Sequence, residues 1–224
     1  MSPVPLPAPL AGLESQIDAL RDAGAYFWQR GWSLGTSSNY SVVLSREPLE
    51  LLITASGKDK GKLARPDFVR VGSDGKPTAT GLPKSSAETM LHVVAAQQPG
   101  VGAVLHTHSV WGTVLSDYFG NQGGFEVTGF EMLKGLEGIG THEHSQWVPI
   151  FENTQDIPVL AQQVREAFAD QNNPLRHGYL IRRHGFYTWG RDLDEARRHI
   201  EIFEFLFEVL ARRMMLAGNL AASV

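Results

Sequence analysis

Two histidines one residue apart, His106 and His108, close the apolar run Val101-Gly-Ala-Val-Leu105. In an extended strand successive side chains alternate faces, so both imidazoles project the same way while Thr107 points to the other side. One metal ion could take both rings, and a pair of local hydrogen bonds would also explain them. The chain has no cysteine. This excludes disulfides and limits a zinc site to His, Asp, Glu and water. A catalytic zinc ordinarily takes three protein ligands and keeps a fourth position for water or substrate. Among the other histidines, His184 stands just before Gly185 and between two expected strands, where the backbone can turn sharply and aim a side chain inward. His92 and His199 fall inside expected helices, where an exposed or hydrogen-bonded ring is the simpler reading. His142 and His144 lie in the polar loop Gly140-Thr-His-Glu-His-Ser145 and read as solvated surface.

A second chemistry is suggested by loops of small and hydroxyl residues. Phosphate is held by backbone N–H groups, hydroxyls and lysines where the chain can come close. Gly35 to Ser41, with Ser38 and Asn39, fits that description, as do Ser56-Gly57 with Lys60, and Lys84-Ser85-Ser86. Each alone marks an ordinary turn. Together with a metal they point to a phosphorylated small molecule, chelated near one end and held at the other. Proton transfer would need a carboxylate nearby. Glu88 follows Ser85 at the S-x-x-E spacing of a capping box, which explains it without catalysis. Glu131 has no such explanation beyond the favourable dipole of a helix start.

These side chains need a scaffold, and a chain of 224 residues, 42% of them hydrophobic, can bury a substantial core. A net charge of -4 supplies no basic field for nucleic acid. No apolar run is long enough to cross a membrane. The first ten residues carry four prolines and no basic charge, so residues 1–10 are expected to be a loose arm rather than a signal peptide, and the protein cytoplasmic. Leu13, Ile17, Leu20 and Phe27 mark one face of a helix ending near Gly31. Strands are expected at Val42–Leu44, Leu51–Thr54, Phe68–Val71, the His106 segment, Phe125–Phe130, Trp147–Phe151, Tyr179–Ile181 and Phe186–Trp189. Further helices are expected from Ser85 to Gln98, from Ser109 to Tyr118, after Asp156, and after Asp192, where Glu195 completes a capping box. The alternation lacks a regular βαβ beat. It predicts one mixed α/β domain over residues 11–224, with a central, mainly antiparallel sheet covered by helices.

The segments G-T-S-S-N-Y-S, I-T-A-S-G, K-S-S-A-E, H-T-H and L-I-R-R-H-G-F-Y-T-W-G, in this order, resemble the class II aldolase/adducin family of zinc-dependent sugar-phosphate enzymes. The likeness covers nearly all of the chain from Leu13 onward. It implies a metal-dependent lyase acting on a sugar phosphate, assembled as a homotetramer with sites near subunit boundaries. It implies one zinc ion per subunit on His106, His108 and His184, the last in the family's N-H-G position, here Arg-His-Gly. It also implies phosphate contacts from Ser38, Asn39, Ser56, Gly57, Ser85 and Ser86. Glu88 matches the acid/base glutamate of the aldolases, whereas Glu131, in E-M-L-K-G, matches that of a dehydratase subgroup. On the residues above, Glu131 is the expected acid/base and Glu88 the second candidate. Aldolase or epimerase chemistry, and a purely structural zinc, are the competing expectations. Imidazole ligands favour zinc, but Fe, Co, Ni or Mn could fill a similar site.

Overall fold

The computed structural model describes residues 6–221. Of the expected N-terminal arm, residues 1–5 lie outside that range. The rest is tied down: Ala8–Leu10 form a 3-10 turn, Leu10 is buried, and Arg70 donates to the Pro9 carbonyl at 3.1 Å.

The sheet has eight strands: β1 (Asn39–Arg46), β2 (Leu49–Thr54), β3 (Phe68–Gly72), β4 (Ala103–Thr107), β5 (Gly124–Thr128), β6 (Ser145–Phe151), β7 (Gly178–Ile181) and β8 (Gly185–Gly190). Their order across the sheet is β3-β2-β1-β4-β8-β7-β6-β5. Every neighbouring pair is antiparallel except β6 with β7. The expected mixed, mainly antiparallel sheet is therefore the observed one. Among the described residues five α-helices complete it: α1 (Glu14–Gln29), α2 (Thr89–Ala96), α3 (Val110–Tyr118), α4 (Ile157–Ala169) and α5 (Leu193–Ala221). None is long and apolar enough to cross a membrane.

Strand alternation sorts the core into two layers. Leu105, Leu180 and Phe186 face one side and pack with Phe27 of α1, Leu115 of α3 and Phe203 and Phe207 of α5. Val104, Tyr179, Ile181 and Tyr187 face the other, against Leu91 and Val94 of α2 and Leu160 and Val164 of α4. β4 is covered on both faces and all five of its residues are buried. That is why it reads as a continuous apolar run rather than an alternating one.

Most helix signals operate as the sequence predicts. Ser109 caps α3 by accepting from the Gly112 N–H at 3.0 Å, and Asp156 caps α4 through Val159. Asp192 accepts from Glu195 N–H at 2.8 Å, capping α5, while the Glu195 carboxylate reaches one residue farther back than a capping box would, accepting from Arg191 N–H at 2.8 Å. The capping box expected at Ser85 and Glu88 does not form. Ser85 is instead bridged to Ala55, the Ser86 hydroxyl accepts from Glu88 N–H at 3.2 Å, and the Glu88 side chain makes no cap. The strand expected to reach Phe130 stops at Thr128, and a 3-10 turn over Glu131–Gly135 follows Gly129, whose φ is +81°.

Candidate metal centre

β4 lies between β1 and β8, and its register sets the site. His106 is opposite Asn39 on one side and Tyr187 on the other, so these three side chains share one face of the sheet. His108 follows one residue beyond the strand, and its N–H donates to the Trp32 carbonyl at 2.8 Å. His184 comes from the turn between β7 and β8. The ligand atoms of His106, His108 and His184 all lie within 4.8 Å of one another, the one such group of His, Cys, Asp or Glu among the described residues. His106 is fully buried, and the other two rings are partly covered.

The donor set fits a metal. The His106 Nδ1–H donates to the Phe186 carbonyl at 3.0 Å, which leaves Nε2 as a lone pair facing the other rings. His106 Nε2 and His108 Nε2 are 2.8 Å apart. Burial, followed by the neighbouring rings, pushes the His106 pKa well below the imidazole range, and burial with His184 and Lys60 nearby takes His108 down to about 3. Neutral imidazoles are what a divalent cation requires. The Tyr187 ring stacks on His106 at 4.0 Å between centroids, closing the apolar side. Gly185 makes the convergence possible: a Cβ there would lie 2.2 Å from the Thr107 carbonyl and 2.8 Å from His106 Cε1.

Glu88 stands against this group. One carboxylate oxygen is 3.3 Å from His184 Nε2 and the other 3.6 Å from His106 Nε2. A buried relay holds it there. The Ser41 hydroxyl meets His92 Nδ1 at 2.8 Å, His92 Nε2 meets the Asn39 Oδ1, and the Asn39 amide donates to Glu88 at 2.8 Å and to Ser86 Oγ at 3.2 Å. Burial takes His92 down to about 3, so it is neutral and carries a single ring proton. With Ser41 donating to Nδ1, that proton sits on Nε2 and fixes the Asn39 amide with its NH2 toward Glu88. The expectation of an ordinary helical histidine at this position misses that role. The spacing of four between Glu88 and His92 is the available signal, since it brings both residues to one side of α2.

The expected phosphate segments also meet. Asn39 bonds Ser86, Ala55 bridges Ser85, and Ser56 N–H donates to the Lys84 carbonyl at 2.9 Å. Ser38 has a left-handed backbone, φ +70°, and its buried hydroxyl makes no hydrogen bond of ordinary geometry among the described residues. Gly57, at φ +69°, and Ser56 are exposed. Lys60, expected beside Ser56-Gly57 as a phosphate-binding cation, is buried: its ammonium donates to the Lys58 carbonyl at 2.7 Å, and burial lowers its pKa to about 8.

Glu131 is not brought to His106, His108 and His184 of its own chain. It lies in the 3-10 turn after β5, its side chain 70% exposed, paired with Lys134 at 2.7 Å and His142 at 3.1 Å. The hydrogen bond from Lys134 holds its carboxyl below the usual range.

The profile of the Class II Aldolase and Adducin N-terminal domain matches residues 18–211. A methylthioribulose-1-phosphate dehydratase of Marinobacter nauticus is 48% identical over 188 residues, covering 84% of this chain and 88% of that protein. One from Pseudomonas fluorescens is 48% identical over 196 residues, covering 87% and 91%. In fold, the chain resembles an L-fuculose-1-phosphate aldolase of Thermus thermophilus, with a TM-score of 0.68 at 22% identity over 91% of this chain and 98% of that one. The chain belongs to the class II aldolase and adducin family.

Proposed function

We propose that this protein is a hydro-lyase that dehydrates 5-methylthioribulose 1-phosphate to 2,3-diketo-5-methylthiopentyl 1-phosphate, as part of methionine salvage in the cytoplasm. The observation that carries this reading is the 48% identity, across most of both chains, to proteins named for that reaction. His106, His108 and His184 would hold one zinc ion per subunit, and zinc in such a site supplies Lewis-acid polarisation of a substrate oxygen. The chain's own residues account for the rest. The hydroxyls and amides of Ser38, Asn39, Ser56, Gly57, Ser85 and Ser86, with the charge of Lys60, would hold the phosphate and so orient the carbon chain. A carboxylate then takes the proton from C3 and, now an acid, returns a proton to the hydroxyl leaving C4 as water. The enol that remains ketonises to the diketone.

We assign that carboxylate to Glu131, on the likeness of its E-M-L-K-G segment to the dehydratase subgroup. Because Glu131 is solvent-facing in its own chain, the assignment requires a homotetramer in which this turn covers a neighbouring subunit's histidines. Glu88 would then stay against the imidazoles of its own subunit. The second reading is an aldolase or epimerase acting on another ketose phosphate, and it is favoured by one observation, the contact of Glu88 with His106 and His184. Turnover of methylthioribulose 1-phosphate by the purified protein, with and without a chelator, tests both. A diketone formed only with metal supports dehydration. An aldehyde together with a smaller phosphate would replace it with the aldolase reading.

A further inference from the structure

Helix α3 begins next to the second histidine of the H-x-H pair and runs to the turn that carries the third. Ser109, which follows His108, caps it. Farther along, Thr113, Ser116 and Asp117 share one face of the helix by their spacing of three and four. The Thr113 hydroxyl donates to the Ser109 carbonyl at 2.7 Å and lies 3.4 Å from the His184 carbonyl. The Ser116 hydroxyl is completely buried, donates to the Thr113 carbonyl at 2.8 Å and accepts from the Arg183 N–H at 2.9 Å. Asp117 accepts from Arg183 Nε at 2.7 Å.

These bonds converge on a backbone position that needs support. Arg183 has φ +54°, in the left-handed region that is costly for a residue with a long side chain and is better tolerated by glycine or asparagine. The residue after it is His184, and the turn has no room to relax toward β4, because Gly185 already lies against the Thr107 carbonyl and the His106 ring. A change in Arg183 backbone conformation would therefore swing the His184 ring out of register with the other two.

We propose that Ser116 and Asp117 are positioning residues of the metal centre: they hold Arg183 in its left-handed conformation and so fix where His184 stands relative to His106 and His108. The proposal rests on the metal reading of the three histidines, and it is tested by metal affinity rather than by turnover. Zinc dissociation constants would be measured by chelator competition for the wild type, Ser116→Ala, Asp117→Asn and the double variant Ser116→Ala/Arg183→Asn. Melting temperatures of the metal-free proteins would be measured beside them. Loss of an outer-shell partner should weaken zinc binding about 10-fold or more in Ser116→Ala, with a smaller loss in Asp117→Asn. Adding Arg183→Asn should recover most of the loss, because asparagine adopts the left-handed region without the serine's help. A general destabilisation would lower the metal-free melting temperature and would not be rescued in this way. Should Ser116→Ala not fold, Asp117→Asn at the half-exposed end of the helix carries the test. The proposal is overturned if the wild type binds zinc and the single variants bind it as tightly, or if Arg183→Asn restores nothing. A wild-type protein that takes up no zinc would instead overturn the metal reading itself.

Discussion

His106 has its Nδ1–H committed to the Phe186 carbonyl, a tyrosine stacked on its face and no access to water, so Nε2 is the nitrogen it can offer. His106→Ala should lose both bound metal and turnover, read by elemental analysis beside the assay. The glutamates separate more finely. If Glu131 handles the proton, Glu131→Gln should keep zinc while turnover falls about 100-fold or more, the usual worth of general acid–base catalysis. An unchanged rate at full zinc loading would remove that role from Glu131. Behind the metal strand, Thr107 faces the other core layer and donates to Glu204 at 3.2 Å, and burial raises the Glu204 pKa to about 7. A carboxyl whose pKa is raised on folding binds its proton more tightly in the native state. The resulting stability is full below the unfolded value and is lost as pH rises from about 4.5 through about 7, by about 3 kcal/mol at most. Glu204→Gln should therefore melt several degrees higher than wild type at pH 8 and at nearly the same temperature at pH 5. Equal shifts at both pH values would show that Glu204 is already ionised at pH 5 in the folded protein, with no raised pKa.

At the scale of elements, local signals are legible where the partner is local. Ser109, Asp156 and the Asp192–Glu195 pair cap their helices because each needs only the next turn, which the sequence contains. The Ser85–Glu88 spacing is equally good as a pattern and fails because distant residues claim both partners: Ala55 takes Ser85, and Asn39 with the histidines takes Glu88. That failure also removes the structural reason for setting Glu88 aside. Strand alternation correctly gives His106 and His108 a common direction, but no periodicity could place β1 and β8 on either side of β4. The register with Asn39 and Tyr187 is hidden for that reason. The burial of Lys60 is hidden for a related cause, since it depends on α1 packing over the turn. Gly24 marks that contact: a Cβ there would lie 2.7 Å from the Lys60 carbonyl. In an exposed helix Gly→Ala stabilises by about 1 kcal/mol. Gly24→Ala should instead destabilise by about 1–3 kcal/mol through overpacking, read as a lower denaturation midpoint. A gain in stability would mean that α1 can move away from the turn freely.

At the scale of the molecule, the position of Glu131 makes catalysis a question of assembly. The turn that carries it exposes Met132 beside Phe205 of α5, large apolar side chains that are 38% and 45% exposed in one chain. A face of that kind is what subunit contacts use. If a neighbour docks here, each site combines histidines from one subunit with a glutamate from another, and two dead variants can complement. His106→Ala still supplies Glu131, and Glu131→Gln still supplies the histidines. Co-expressed in equal amounts and mixed at random, they should form hybrid oligomers with about a quarter of wild-type turnover, since that share of sites receives both intact halves. Mixing the separately purified oligomers without exchange gives the baseline, because neither parent can complete a site. Hybrids no more active than that baseline would confine each site to one chain, and proton transfer would then fall to Glu88, the carboxylate already in contact with the histidines.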